Sequence, residues 1–286
     1  MSIGLSIALA ITLVVAILLI VFNDTVNDEI NYKKHLANIR FTTDYIIDRD
    51  DLEQKIKLLK LNNYRDAILN EMKTDIRFDI VDFDGETGTS QIGGQPSLLQ
   101  ALPEAMNNMI FLSQINCKEL SNNNLLPKEG MLYFFINPTL MQEGKSNFLQ
   151  VVYQKEGAFS LPANAYANLQ QGKPAKLKFY SAISLPDIDD DWARETFQDY
   201  KIDGYFRLIN AEKENQLLGY PHSISQVFDT EGDNKVLLLQ LDSDEDRGVQ
   251  FGNLGRLFVF IDRQKLQAAD FSTVYAYIQD YREAEN

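Results

Sequence analysis

One cysteine, Cys117, and two histidines, His35 and His222, are all that 286 residues supply of those types. A single cysteine excludes an internal disulfide framework. With no histidine near it in sequence, Cys117 reads as a core thiol rather than a nucleophile. Basic residues are outnumbered as well: 27 Lys and Arg stand against 41 Asp and Glu, a formal charge of −14. Such a balance repels nucleic acid, and no Lys/Arg stripe is present to release counterions from phosphates. The acidity suits solubility and attraction to a basic protein partner. A nucleophile elbow is missing too. Gly93 and Gly94 are followed by Pro96, which interrupts the helix start that a phosphate-binding loop needs.

What is present begins with an apolar run. Residues 3–22 carry no charge, and as a helix rising ~1.5 Å per residue they reach roughly 30 Å, one hydrocarbon core. Without a basic n-region or a small-residue cut site, the run reads as an uncleaved single-pass anchor over residues 1–23 rather than a signal peptide. Lys33, Lys34 and Arg40 follow it and no Lys or Arg precedes it, which by the positive-inside rule puts the C-terminal body in the cytoplasm.

Residues 24–74 contain neither glycine nor proline and read as helices, part stalk and part packing. Leu52, Ile56 and Leu59 recur at helical spacing after a cap at Asp50 or Asp51, and Tyr64, Ile68, Leu69 and Met72 form a second stripe.

From Asp75 the period changes to alternating and aromatic, and the chain says nearly the same thing twice. QIGGQPSLL at 91–99 answers LLGYPHSIS at 217–225, with Gly94 and Pro96 falling on Gly219 and Pro221 at an offset of 125. IFLSQIN (110–116) answers VLLLQLD (236–242) at 126; GMLYFFI (130–136) answers GRLFVFI (255–261), and FLQVVYQ (148–154) answers TVYAYIQ (273–279), both at 125. Four blocks in one order mean a duplicated unit. The runs are short, β-branched or aromatic, and several are apolar at both alternating positions, so their sheet is covered on both faces. The expected fold is α+β and mainly β: a roll-like body over residues 75–286, with units near 75–155 and 205–286. A helical connector at 187–201 carries Trp192, Phe197 and Tyr200.

The blocks TSQIGGQPSLL, IFLSQIN, LLPKEGMLYFF, LLGYPHSI, VLLLQLDSDED, FGNLGRLFVFI and AADFSTVYAYIQ resemble, in order, those of the YwqG-like family, a bacterial family of unassigned function. The resemblance covers roughly Asp75 to Tyr281. It implies a mainly β roll-like or α+β fold and no established reaction, ligand or metal; an immunity or antagonist role is suggested by some members' neighbourhoods. This chain departs from the pattern at Gln91 and at Asn253, and in its apolar N-terminal run.

No reaction can be read from these residues, and no cofactor is implied. The best metal candidates are Asp242, Asp244 and Asp246, because carboxylates at alternate loop positions can converge on Ca²⁺. The full spacing fails: Gly248 comes one place late and Asn253 stands where a bidentate Glu belongs. A two-carboxylate hydrolase needs acids in apolar surroundings, and nearly every acid here sits in a polar run, with Glu104 and Asp203 partial exceptions. Gly93, Gly94, Pro96, Gly219, Pro221, Gly252 and Gly255 read as path-setting residues. The binding expectation is that the two equivalent GxP loops meet near a pseudo-twofold and line a groove with Gln95, Tyr220 and His222. Two functions follow: a membrane-anchored module binding a basic partner, or a small-ligand, metal or hydrolase site in a cleft between the halves.

Overall fold

A computed structural model of the chain describes residues 3–41, 45–83, 85–106, 108–120, 124–160, 166–168, 174–209, 215–225, 228, 234–247 and 249–280. The first repeat supplies β1 (Lys73–Asp82), β2 (Gln91–Ile92), β3 (Ile110–Asn116), β4 (Met131–Ile136) and β5 (Leu149–Gln154). After β6 (Ala167–Asn168), parallel to β3, the second repeat supplies β7 (Ala175–Ser184), β8 (Gln216–Leu217), β9 (Lys235–Asp242), β10 (Arg256–Asp262) and β11 (Tyr275–Gln279).

Their order in the sheet is β11-β10-β9-β8-β1-β7-β2-β3-β4-β5. The opening strands of the repeats are therefore exchanged: β1 lies against β8 and β7 against β2. The two pair with each other from Lys73↔Ser184 to Asp82↔Ala175. The pseudo-twofold passes through Asp79 opposite Lys178, midway between Ile76, which pairs with β8, and Asp82, opposite the Ala175 that pairs with β2. One bulge in each half, at Phe111/Ser113 and at Val259/Phe260, adds twist. The sheet curls until its ends approach, with Ala276 N donating to Ser146 O at 2.6 Å and Tyr153 packed on Phe271. The result is a nearly closed, mainly β barrel, more curled than the roll expected.

Alternation in the strands explains the cores. Leu132, Phe134 and Ile136 of β4 and Leu257, Val259 and Ile261 of β10 point into the barrel. Their neighbours on the outer face are buried as well: Tyr133 and Phe135 lie under Met106 and Tyr166, and Phe258 and Phe260 under Phe228. The runs apolar at every position are thus covered on both faces, as the sequence required.

The helices make a separate apolar cluster beside the barrel. Before β1 come α1 (Ile3–Ala37), α2 (Arg49–Leu58) and α3 (Arg65–Asn70); α4 (Pro138–Gln142) follows β4. The connector forms α5 (Asp191–Thr196) and α6 (Ile202–Ile209), and α7 (Arg263–Gln267) follows β10. Asp48, not Asp50 or Asp51, caps α2 by accepting from Asp51 N at 2.9 Å. Leu52, Ile56, Leu59 and Leu61 are fully buried against Phe197, Tyr205 and Leu208, burial worth ~1.5–3 kcal/mol per side chain. The C-terminal end of α1 joins them through Tyr32 and Leu36, and Tyr32 Oη donates to Leu59 O at 2.6 Å. That part of 24–74 is packed into the body instead of standing off as a stalk.

Most side chains of the apolar run at 3–22 lie outside the described residues. Among the described residues, no helix is long and apolar enough to cross a membrane. Val14, Val15, Val21 and Phe22 are described, and all four are exposed.

Candidate functional site

The two GxP loops are held by buried glutamines that repeat with the strands. In the first unit Gln91 Nε2 donates to Gly93 O and Gln95 O; in the second Gln216 Nε2 donates to Leu218 O and Tyr220 O. Gln114 Oε1 accepts from Ser97 N at 2.7 Å, as Gln240 Oε1 does from His222 N at 3.0 Å. Gln154 Oε1 accepts from Leu99 N and Gln100 N, and Gln279 Oε1 from Ile224 N and Ser225 N. Buried backbone groups of an irregular loop need partners, and amides on neighbouring strands supply both donor and acceptor. These glutamines sit inside the repeated blocks. The sequence signal that could have found them is the glutamine kept at matching places of the paired blocks, Gln114 with Gln240 and Gln154 with Gln279.

Gly93, Gly94, Gly219 and Gly252 have φ of +68°, +69°, +77° and +59°. A Cβ on Gly219 would stand 2.3 Å from Ser184 Oγ and 2.8 Å from Asp75 Cβ. Gly255 packs on backbone, since its Cβ would lie 2.3 Å from Gln279 O.

The shared groove is not formed. Leu217 pairs with Ile76, whereas Ile92 pairs with Ala175, opposite Asp82. Six residues of β1, about 20 Å at ~3.3 Å each, therefore separate the roots of the two loops, which lead away toward opposite ends. Gln95 turns to the protein, donating to Tyr166 O and accepting from Tyr166 N, both at 2.8 Å.

Tyr220 and His222 do share one region, built where β1 crosses into the second half. Tyr220 Oη donates to Glu71 Oε2 at 3.1 Å, and Lys73 Nζ stands 3.8 Å above its ring. His222 is buried beside Asp187, with Nδ1 3.9 Å from Oδ2. Burial, then the charge of Arg77, pushes its pKa down to about 3, keeping the ring neutral. Arg256 bridges Asp242 Oδ1 and His222 O, and Arg77 Nε donates to the fully buried Asp75 at 2.7 Å. These ions brace the loop from within.

The acidic loop does not gather its carboxylates. Asp242 is engaged with Arg256, Asp244 with Arg247 at 3.3 Å, and Asp246 is exposed; Gly248 lies outside the described residues. Among the described residues no group of three or more His, Cys, Asp or Glu is placed to hold a metal ion. Cys117 is buried, and burial pushes its thiol up to about 12. Glu104 and Asp203 lie on separate elements, a 3₁₀ turn and α6, and Asp203 pairs with Lys33 at 3.6 Å.

Beside this network opens a cavity of about 280 Å³, near the lower end of ligand clefts. Lys73 on β1, Lys235 at the start of β9 and Arg263 after β10 line it. Its apolar wall is Ile76, Leu218, Val236 and Leu237, and Asn124 and Leu125 reach it from the first repeat. No carboxylate lines it among the described residues. These cations were missed because each stands alone beside a strand end, like a solvated flank. A more open groove of about 660 Å³ adjoins Glu119, Lys176 and Phe159, of mixed charge. Ser90 N donates to both oxygens of Glu119, at 3.2 and 3.3 Å, and burial raises that carboxyl's pKa.

None of the curated proteins compared matches the chain. Residues 90–279 match a family model described as Domain of unknown function (DUF1963), in keeping with the YwqG-like resemblance of the repeated blocks. That match takes in both GxP loops and every strand from β2 to β11, so the chain belongs to the DUF1963 family.

Proposed function

We propose that this chain is a membrane-tethered binding module whose functional site is the cleft where the two repeats meet around β1. One observation carries the reading. The 280 Å³ cavity takes side chains from the first repeat (Asn124, Leu125), from the exchanged strand (Lys73, Ile76) and from the second repeat (Leu218, Lys235, Arg263). Concave sites with an apolar wall and a few polar groups are where small ligands bind, and their position at a joint between units is typical.

Tethering rests on the uncharged run at 3–22 and on the exposure of Val14, Val15, Val21 and Phe22 among the described residues. Lys33, Lys34 and Arg40 after the run favour a cytoplasmic body. Fractionation with alkaline extraction tests the tether, which fails if the chain leaves the membrane in carbonate.

A thermal-shift screen of small molecules against the full-length chain tests the cleft. Binders are expected to raise the melting temperature of the natural chain and to lose their effect in Leu125→Trp, which fills the cavity. Binders indifferent to Leu125→Trp place the site elsewhere.

A second reading, attraction of a basic partner of the immunity or antagonist kind, is favoured by the formal charge of −14. It predicts a protein captured from membranes at low salt and released at high salt.

A further inference from the structure

The sheet has an opening beside one of its central strands. β7 is ten residues long but its neighbour β2 only two, so pairing on that side ends early. Leu177 N donates to Ser90 O at 3.0 Å, and the next rung is Ile183 N to Ile46 O at 2.8 Å, made by the segment between α1 and α2. Along a strand the N–H and C=O of every second residue point to the same side. Phe179 and Ser181 therefore aim theirs into the gap between those two rungs. Their neighbours on β1 agree: Phe78, opposite Phe179, turns its N–H outward to Asn215 O, and Ile76, opposite Ser181, pairs with Leu217 of β8. Among the described residues, nothing bonds to the Phe179 or Ser181 backbone from the open side.

We propose that this gap takes up a short extended segment of a partner protein, which adds a strand to β7. The site is separate from the cleft at Lys73 and does not rest on it.

Side chains of β3 hold the gap open. Gln114 Nε2 donates to Thr89 O at 2.7 Å and Asn116 Nδ2 to Gly88 O at 2.8 Å, which commits the chain before β2 to β3 instead of β7. The split between them is the groove of about 660 Å³, with Thr87 to Thr89 on one wall and Lys176 to Phe179 on the other. From Leu177 to Ile183 is about 20 Å at ~3.3 Å per residue, room for a segment of about four residues.

What the gap offers is chemistry for a backbone. Donors and acceptors at strand spacing recognise another extended chain whatever its side chains, and this is how strand addition works. Apolar surface flanks the gap at both ends. Phe159 is 43% exposed, and Ile47, next to the Ile46 rung, is 45% exposed. Phe159 is seated on Gly88, where a Cβ would stand 2.4 Å from its ring atoms, so the ring is fixed at the groove. The groove walls carry both signs, Asp82 and Glu119 with Lys176 and Lys178, so main-chain bonds and apolar contact govern the fit rather than net charge.

Panning a library of random heptapeptides on the full-length chain in a zwitterionic detergent tests the proposal. In the free chain the Phe179 and Ser181 amides are expected to exchange hydrogen faster than those of Tyr180 and Ala182, which face β1, and selected peptides are expected to slow them. Binding is expected to change little between low and high salt, unlike that of a partner held by charge. Ser181→Pro removes a donor on the open side, where proline is tolerated, and is expected to abolish binding. Phe159→Ser is expected to weaken it about fivefold with the melting temperature unchanged; should Ser181→Pro fail to fold, this variant and the amide exchange decide. Peptides that bind both variants equally and leave the two amides exchanging at the free rate overturn the proposal, as does a panning that yields no binder. Dimerisation of the chain that slows the same amides and is lost in Phe159→Ser gives the gap to a second copy and also overturns it. Peptides lost in Leu125→Trp instead belong to the cleft, which overturns this proposal and leaves the cleft reading standing.

Discussion

Replacing Gln154 by leucine measures what the glutamine braces contribute. In the native chain Gln154 is buried on β5, its Oε1 accepts from Leu99 N and Gln100 N at 2.9 Å, and its Nε2 donates to Gln100 O at 2.8 Å. Leucine keeps the bulk and removes all three bonds. Leu99 N retains Tyr133 Oη at 3.1 Å, so two backbone groups, Gln100 N and O, lose these partners. An orphaned buried polar group costs ~1–3 kcal/mol, and two of them in a half-buried loop give a loss of about 2–4 kcal/mol. Gln100→Ala is the control: it removes one exposed bond, to Glu156 O, and leaves the backbone contacts, for a cost below ~0.5 kcal/mol. Urea unfolding followed by the β-sheet dichroism gives both values from the shift in midpoint at constant slope. A Gln154→Leu loss no larger than that of Gln100→Ala would show that the loops hold their path without the glutamines.

Two further predictions concern buried titratable groups. His222 has a folded-state pKa depressed from 6.5 to about 3, so the unfolded chain binds the extra proton between those values. Its contribution is intact above about pH 6.5 and is lost as pH falls, by up to ~1.4 kcal/mol per unit. Asp187, Asp242, Arg77 and Arg256 are the charged groups that face the ring, and the readout is the difference from His222→Gln, whose stability falls less steeply from pH 6.5 to 4. Equal slopes would contradict the assignment. Cys117, buried and with its thiol pushed up to about 12, is expected to resist a disulfide reagent at pH 8 until urea unfolds the chain. Labelling of the native chain at the rate of a free thiol would show that β3 opens.

Much of the barrel was legible because its signals are local and repeated. MLYFFI (131–136) and LFVFI (257–261) are apolar at every position, and only a sheet covered on both faces can bury them. The exchange of β1 and β7 was not legible. Their pairs through β8 and β2 imply an offset of 99 between Ile76 and Ala175, not 125, so the strands fall out of step with the blocks around them. The GxP loops were found by their glycines and prolines, but whether they meet depends on strand order and register, which no block encodes. That is why Gln95 and Tyr220 were grouped although the sheet separates them. Lys235 and Arg263 are brought together by the pairing of β9 with β10, and Lys73 reaches them only through the exchanged strand. Their one trace in the sequence is that Met109 and Pro138 stand opposite two of them in the repeat.

The most direct test of the central claim is native mass spectrometry of the full-length chain released from its own membrane, beside Leu125→Trp prepared in the same way. A cleft that serves as the binding site predicts a small bound species on the natural chain and none on the variant. The same species on both, or on neither, would contradict it.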